Sequence, residues 1–235
     1  MLRTILFGLL FWVEMFLSVI LYLLSLLIEL FSKQAHKVYV RKVTRGWSLH
    51  ALSLAGIKVM VEGKENIPET DKVCIVSNHQ SYLDIPVLII AVPKLLGFIA
   101  KAELGKVPFL NFWLKALKSS LVSRKKFSQA IKSTQQRFEF AEKGYPVVIF
   151  PEGSRAKDGQ IRRFKTGGIR VLNETELVIL PVTINGSFKI LEYSGKLRKG
   201  TVYVTIHPPV FPESRINIDY RELTGSLKEI IQSGL

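Results

Sequence analysis

Val73-Cys74-Ile75-Val76, continuing into Ser77-Asn78-His79-Gln80-Ser81-Tyr82-Leu83-Asp84, is a short apolar run that ends in a polar cluster. A run of Val and Ile bounded by polar residues reads as a strand buried on both faces. The polar cluster carries an imidazole at position 79 and a carboxylate five residues on. A second apolar run, Val147-Val148-Ile149, ends in Phe150-Pro151-Glu152-Gly153-Ser154-Arg155. Two polar loops, each at the end of a buried-type strand, are the pattern of a site at the edge of an α/β sheet.

Outward from these runs, strand and helix signals alternate. Strand patterns fall at residues 58–62, 72–77, 97–101, 120–123, 146–150, 177–184 and 201–207. Helix patterns fall between them at 83–92, 108–117, 127–143 and 166–173, with a last one at 220–232. Pro86 lies early in its helix, where a missing N–H costs little. Gly144 stands just past the end of 127–143, the position of a helix-ending glycine. The alternation predicts an α/β fold with a mainly parallel or mixed sheet flanked by helices.

The N-terminus differs in composition. Residues 4–31 are almost continuously apolar, interrupted by charge only at Glu14 and Glu29. A helix of that length measures about 42 Å, against a hydrocarbon core of about 30 Å. A cleaved signal peptide fits poorly, because the run is too long and no small-residue cleavage site follows it. Glu14 is costly near a bilayer centre, so both a full span and a shallow or re-entrant placement stay open. The next stretch holds Lys33, Lys37, Tyr39, Arg41, Lys42, Arg45 and Trp47, the composition of a segment at a headgroup surface. Residues 34–57 read as a second helix, basic first and apolar later. The expected division is a two-helix membrane-anchoring motif at 1–57 and an α/β catalytic domain at 58–235. If the first helix spans, the basic bias beside it puts that domain on the cytoplasmic side, and the expected location is the inner, cytoplasmic membrane.

The chain has 33 Lys and Arg against 19 Asp and Glu, a net charge of +14, which favours an anionic partner. The basic residues are scattered and follow no nucleic-acid module, so a lipid surface or phosphorylated substrate is expected and nucleic acid is not. The single cysteine, Cys74, cannot form an intrachain disulfide and reads as core. Histidines 36, 50, 79 and 207 lie far apart without metal-ligand spacing, so no metal site is expected. Gly167-Gly168 near Lys165 is too short for a phosphate-binding glycine loop.

On an ideal helix, positions five apart are rotated by about 140°, so His79 and Asp84 would not meet within one. They meet if His79 lies at or just before a helix start, with Asn78 or Ser81 as the cap. Asp84 then accepts from one ring nitrogen and leaves the other to take a proton, an arrangement that activates a hydroxyl. In the second loop, Gly153 permits a tight turn, and Arg155 offers a planar fork of donors suited to phosphate. Glu152 is expected to hold that arginine or the hydroxyls of an acceptor. Lys101, ending the strand at 97–101, is a further candidate cation. A serine hydrolase or thioesterase served by His79 is the competing enzyme class. The G-x-S-x-G elbow is absent, and Ser81 is expected to be helical.

Taken in order, these loops carry a resemblance. Asn78-His79-x4-Asp84, Lys101-Ala102-Glu103-Leu104 with Pro108, Phe150-Pro151-Glu152-Gly153-Ser154-Arg155 and Ile179-Leu180-Pro181-Val182 resemble the four sequence blocks of the glycerolipid acyltransferases. The likeness is greatest to the bacterial 1-acylglycerol-3-phosphate acyltransferases. The resemblance implies that His79, held by Asp84, deprotonates a glycerol hydroxyl, and that the alkoxide attacks a fatty thioester without an acyl-enzyme. Backbone N–H groups at the helix start are expected to hold the oxyanion. It further implies Arg155 with Lys101 on the acceptor phosphate, Glu152 and Gly153 in the substrate site, and Pro181 shaping the site or acyl channel. No cofactor is implied beyond acyl-CoA or acyl-carrier protein as co-substrate. The implied acceptor is lysophosphatidic acid and the product phosphatidic acid, with another glycerolipid acceptor as the alternative.

Overall fold

The computed structural model describes residues 2–123 and 127–235 of the 235, with side chains for all of these except 2 and 127–130. Seven strands form one sheet: β1 (Ile57–Glu62), β2 (Val73–Ser77), β3 (Gly97–Lys101), β4 (Ser120–Val122), β5 (Val147–Ile149), β6 (Val178–Asn185) and β7 (Gly200–Ile206). Their order across the sheet is β1-β7-β6-β2-β5-β3-β4. Strands β2 to β6 run parallel, while β7 is antiparallel to β6 and carries β1 parallel to itself. The sheet is therefore mixed, with a parallel centre. Every residue of β2 and of β5 is buried, which accounts for their uninterrupted apolar runs.

Helices cover both faces. On one lie α2 (Lys33–Leu54), α3 (Asp84–Ala91) and α4 (Leu110–Ala116), whose Leu52, Leu88 and Trp113 pack with Ile75 and Leu180 of the sheet. On the other lie α5 (Phe127–Glu142), α6 (Thr166–Asn173) and α8 (Tyr220–Gln232), whose Phe138, Ile169 and Leu227 pack with Cys74, Val76 and Ile179. The strand period of two sends Ile75 to the first core and its neighbours to the second. Burial raises the Cys74 thiol far above its ordinary range, so it is a neutral core residue. Because α3 leaves β2 on one face and α6 approaches from β5 on the other, the adjacent ends of β2 and β5 open a crevice. In parallel sheets such a divergence is where ligands bind.

The N-terminal helix α1 (Leu2–Phe31) lies along the domain instead of projecting from it. Arg3 donates to the Ala55 carbonyl, and Thr4 Oγ1 accepts from Leu197 N at 3.0 Å. Midway, Trp113 Nε1 donates to Ser18 Oγ at 2.8 Å, and near the far end Lys118 pairs with Glu29 at 2.7 Å. Glu14 faces α2, 3.0 Å from His50. The opposite side of α1 exposes Leu9, Phe16, Ile20, Leu23, Leu27 and Leu30. Ser32 breaks the two helices apart and caps α2, its Oγ accepting from Ala35 N. The second helix stops at Leu54, three residues before its expected end at 57. Gly56 takes a left-handed φ of 62°, which turns the chain so that Ile57 opens β1. A Cβ at Gly56 would also meet the side chains of Arg3 and Lys199. The single-turn helix α7 (Ser187–Ile190) was not expected; four residues carry no helical periodicity.

Candidate active site

His79 lies just beyond β2, before the turn that starts α3. Its Nδ1 is 2.8 Å from Asp84 Oδ2. A carboxylate with this many donors on it is an acceptor, so Nδ1 carries a hydrogen, and in the neutral ring the lone pair is on Nε2. Asp84 is fully buried. Its Oδ2 also accepts from the backbone N–H of Gln80 at 2.6 Å and of Ser81 at 2.9 Å, and its Oδ1 accepts from Ser187 Oγ at 2.6 Å. The imidazole stacks on Phe150, with ring centroids 4.1 Å apart. A ring held at one nitrogen and packed on one face has a single orientation, which suits the free nitrogen for proton transfer.

Asn78 does not cap α3. It extends the sheet, its side-chain Nδ2 donating to the Ile184 carbonyl and its Oδ1 accepting from Ile184 N, both at 2.8 Å. The amide thus replaces the backbone pairing that β6 loses where β2 turns away. Ser81 lies before the helix, not in it, and its Oγ accepts from Leu83 N at 3.2 Å. Each backbone N–H from residue 79 to 84 has an acceptor within the protein. These six groups are therefore committed to shaping the turn, which leaves Ile85 N, in the first turn of α3, as the next backbone donor at the helix start.

Glu152 does not reach Arg155. Its Oε1 accepts from His79 N at 2.7 Å and its Oε2 from Arg162 N at 2.8 Å, while Ala156 N donates to the His79 carbonyl at 2.7 Å. The second loop is thereby fastened to the main chain of the histidine. Burial raises the Glu152 carboxyl above its ordinary range, against the pull of those two backbone N–H groups. Gly153 has φ 67°, and a Cβ there would meet the end of Lys165, so the glycine allows both the turn and the approach of that cation. Arg155 Nη1 donates to Glu192 Oε1 at 2.7 Å, and its guanidinium lies 3.4 Å from the centre of the Tyr82 ring. Glu192 also accepts from Tyr82 N at 3.1 Å and Ser81 Oγ at 3.3 Å.

The structure thus brings His79, Asp84, Glu152 and Arg155 together at the carboxyl ends of β2 and β5. Lys101 is exposed at the end of β3, on the same edge of the sheet. Its strand is two places from β2, about 10 Å at normal strand spacing. Pro181 is buried in β6 opposite Val76. Strand alternation puts its ring on the α6–α8 face, away from α3. Its carbonyl accepts from His207 N. Its missing donor falls opposite His207, just past the end of β7, where the β6–β7 ladder gives way to Pro208-Pro209, so a proline is tolerated inside a central strand. Ser187, Glu192 and Phe150 were not singled out by the sequence. For Phe150 the adjacency to a strand end was a usable signal; the other two are brought in by β6 from far along the chain.

Beside this site runs an apolar cavity of about 960 Å³ between α1, α2 and the sheet edge. Tyr82, Ile85 and Pro86 line it from the catalytic turn, and Met15, Trp47 and Trp113 from the surrounding helices.

Comparison with known proteins points one way. The family model described as Acyltransferase matches residues 58–185. The chain is 34% identical over 156 residues to the chloroplastic 1-acyl-sn-glycerol-3-phosphate acyltransferase LPAT1 of Arabidopsis thaliana, covering 65% of this chain and 44% of that one. It matches a similar 45% of a Brassica napus chloroplast relative, so the match spans a little under half the length of these plant proteins. To the 1-acyl-sn-glycerol-3-phosphate acyltransferase of Borreliella burgdorferi it is 31% identical, covering 77% of this chain and 73% of the relative. The crystal structure of the 1-acyl-sn-glycerophosphate acyltransferase PlsC from Thermotoga maritima is similar with a TM-score of 0.87 at 29% identity, covering 99% of this chain and 93% of that one. With a family model over more than half its length and a bacterial relative aligned over three-quarters of it, this chain belongs to the acyltransferase family.

Proposed function

We propose that the protein is a membrane-associated acyltransferase that moves a fatty acyl group from a thioester donor, acyl-CoA or acyl-carrier protein, to the sn-2 hydroxyl of 1-acylglycerol-3-phosphate. The product is phosphatidic acid, for phospholipid synthesis. The observation that carries the reading is the oriented His79–Asp84 pair beside a large apolar cavity. His79 Nε2 removes the hydroxyl proton, and the alkoxygen attacks the thioester carbonyl. The tetrahedral intermediate expels the thiolate, which takes the proton back from His79. Asp84 steadies the imidazolium between these steps. Arg155, with Lys101 nearby on the same edge, takes the acceptor phosphate, and the cavity takes acyl chain. Its volume lies at the upper end of the roughly 300–1,000 Å³ of small-molecule sites. Direct transfer is favoured over a serine intermediate because, among the described residues, no serine hydrogen-bonds the His79 ring.

The same reading assigns residues 1–57 to membrane binding and residues 58–235 to the chemistry. The fastening of α1 to the domain at residues 3, 4, 18 and 29 supports a helix that lies along one membrane face over one that crosses the bilayer. Its exposed apolar side embeds in one leaflet, and the net positive charge favours the anionic cytoplasmic face.

The test is an acyl-transfer assay on purified, detergent-solubilised protein. Lysophosphatidate and glycerol-3-phosphate are the acceptors, acyl-CoA and acyl-carrier protein the donors. Phosphatidic acid from lysophosphatidate is expected. Free fatty acid with an acyl-serine trapped on mass spectrometry would favour a hydrolase, and no ester product from any pairing would end the proposal.

A further inference from the structure

Glu192 is 7% exposed at its side chain, and one oxygen accepts three hydrogen bonds, from Arg155 Nη1, Tyr82 N and Ser81 Oγ. Two of those donors belong to the turn between His79 and Asp84. The third belongs to the loop after β5. One oxygen therefore links the catalytic turn to the arginine, and the Tyr82 ring completes the link from beneath the guanidinium, its centre 3.4 Å from the guanidinium carbon. Of the five N–H donors that a guanidinium carries, only the one on Glu192 hydrogen-bonds another described residue. A surface ion pair would be worth little, but this one is mostly buried and bonded to backbone.

We propose that Glu192 is a positioning residue for acceptor binding, fixing the Arg155 guanidinium against Tyr82 so that its remaining donors meet the acceptor phosphate in register with His79. This rests on the reading that Arg155 contacts that phosphate. The competing role is opposite in sign. If Glu192 merely occupied Arg155 in place of substrate, removing its charge would free the arginine and add attraction for the phosphate.

Kinetics separate the two. Glu192→Gln is expected to raise the KM for lysophosphatidate about tenfold, more than it lowers kcat and more than it changes the KM for the acyl-CoA donor. Glu192→Asp, which keeps the charge but is too short to reach both partners, should fall between Gln and the parent. Circular dichroism and thermal melting establish that each variant is folded; if Gln fails to fold, the Asp variant carries the comparison. In an Arg155→Ala background, Glu192→Gln should produce no further rise in KM. A lower or unchanged lysophosphatidate KM in folded Glu192→Gln overturns the proposal while leaving the role of Arg155 intact, provided Arg155→Ala itself raises that KM. An Arg155→Ala enzyme with normal KM overturns the underlying reading, and the proposal with it.

Discussion

Ser187 Oγ donates to Asp84 Oδ1 at 2.6 Å across 103 residues of chain. Both residues are fully buried. The serine comes from α7, just after β6, and the aspartate from the first turn of α3, just after β2. They meet because β6 and β2 are neighbours in the sheet. The oxygen that does not face His79 is thereby satisfied, and the carboxylate is held from both sides. Ser187→Ala should leave that acceptor without a donor, at a cost of about 1–3 kcal/mol in stability. A fall in kcat of roughly tenfold should accompany it as the imidazole loses its alignment. Urea denaturation and steady-state kinetics of the variant measure the two effects, and wild-type values of both would remove Ser187 from the site.

His79→Ala removes the proposed base. Turnover should fall by about 10²–10⁴-fold. Sedimentation with anionic vesicles should be unchanged, because the exposed apolar side of α1 does not include the substituted residue. Retention of turnover would refute the role assigned to the histidine.

Glu152→Gln tests the fastening of the two loops. The carboxylate accepts two backbone N–H groups, one on each oxygen. An amide has one acceptor and would set its own NH2 against the second donor. A loss of about 1–3 kcal/mol is expected, with a drop in kcat because His79 N is one of the two donors. Equal stability of the two proteins in a denaturant titration would contradict this account.

His207 contributes to acid sensitivity. Thr183 Oγ1 donates to the Ile231 carbonyl at 2.6 Å, so its 2.8 Å contact with His207 must be donated by Nε2–H of the imidazole. Burial lowers the His207 pKa below its ordinary 6.5. Below that value the unfolded chain binds the proton more readily than the folded one, so stability should be complete above about pH 6.5 and decline as pH falls through the depressed value. Thermal melting from pH 7.5 to 5 should show the decline, and His207→Gln should flatten it. An identical pH slope in the variant would shift the cause to other groups.

Membrane binding should depend on the outward side of α1. Ile20 is 70% exposed and Leu27 52%. If each buries in lipid, its contribution is about 1.5–3 kcal/mol. Ile20→Asp and Leu27→Asp should each weaken vesicle binding by roughly tenfold or more, without lowering the melting temperature in detergent. Unaltered vesicle binding by both would place the lipid contact elsewhere.

The order of elements was legible in the sequence because period-two and period-3.6 patterns are local. The runs at 73–76 and 147–149 announced central strands, residues 166–173 and 220–232 announced their helices, and the uninterrupted apolar start announced α1. The polar residues at strand ends marked which edge of the sheet carries the chemistry. Tertiary structure decided the rest. That β2 has β5 on one side and β6 on the other brings Glu152 onto the main chain of His79 and Ser187 onto Asp84. It also puts Glu192 between Arg155 and Tyr82. None of these partners has a local signature, since a hydrogen bond across a sheet depends on strand order and register, and no run of neighbouring residues encodes either. Glu152 shows the difference most clearly: its place in the chain suggested a ligand for arginine or substrate, and its place in the fold made it an acceptor for two backbone amides.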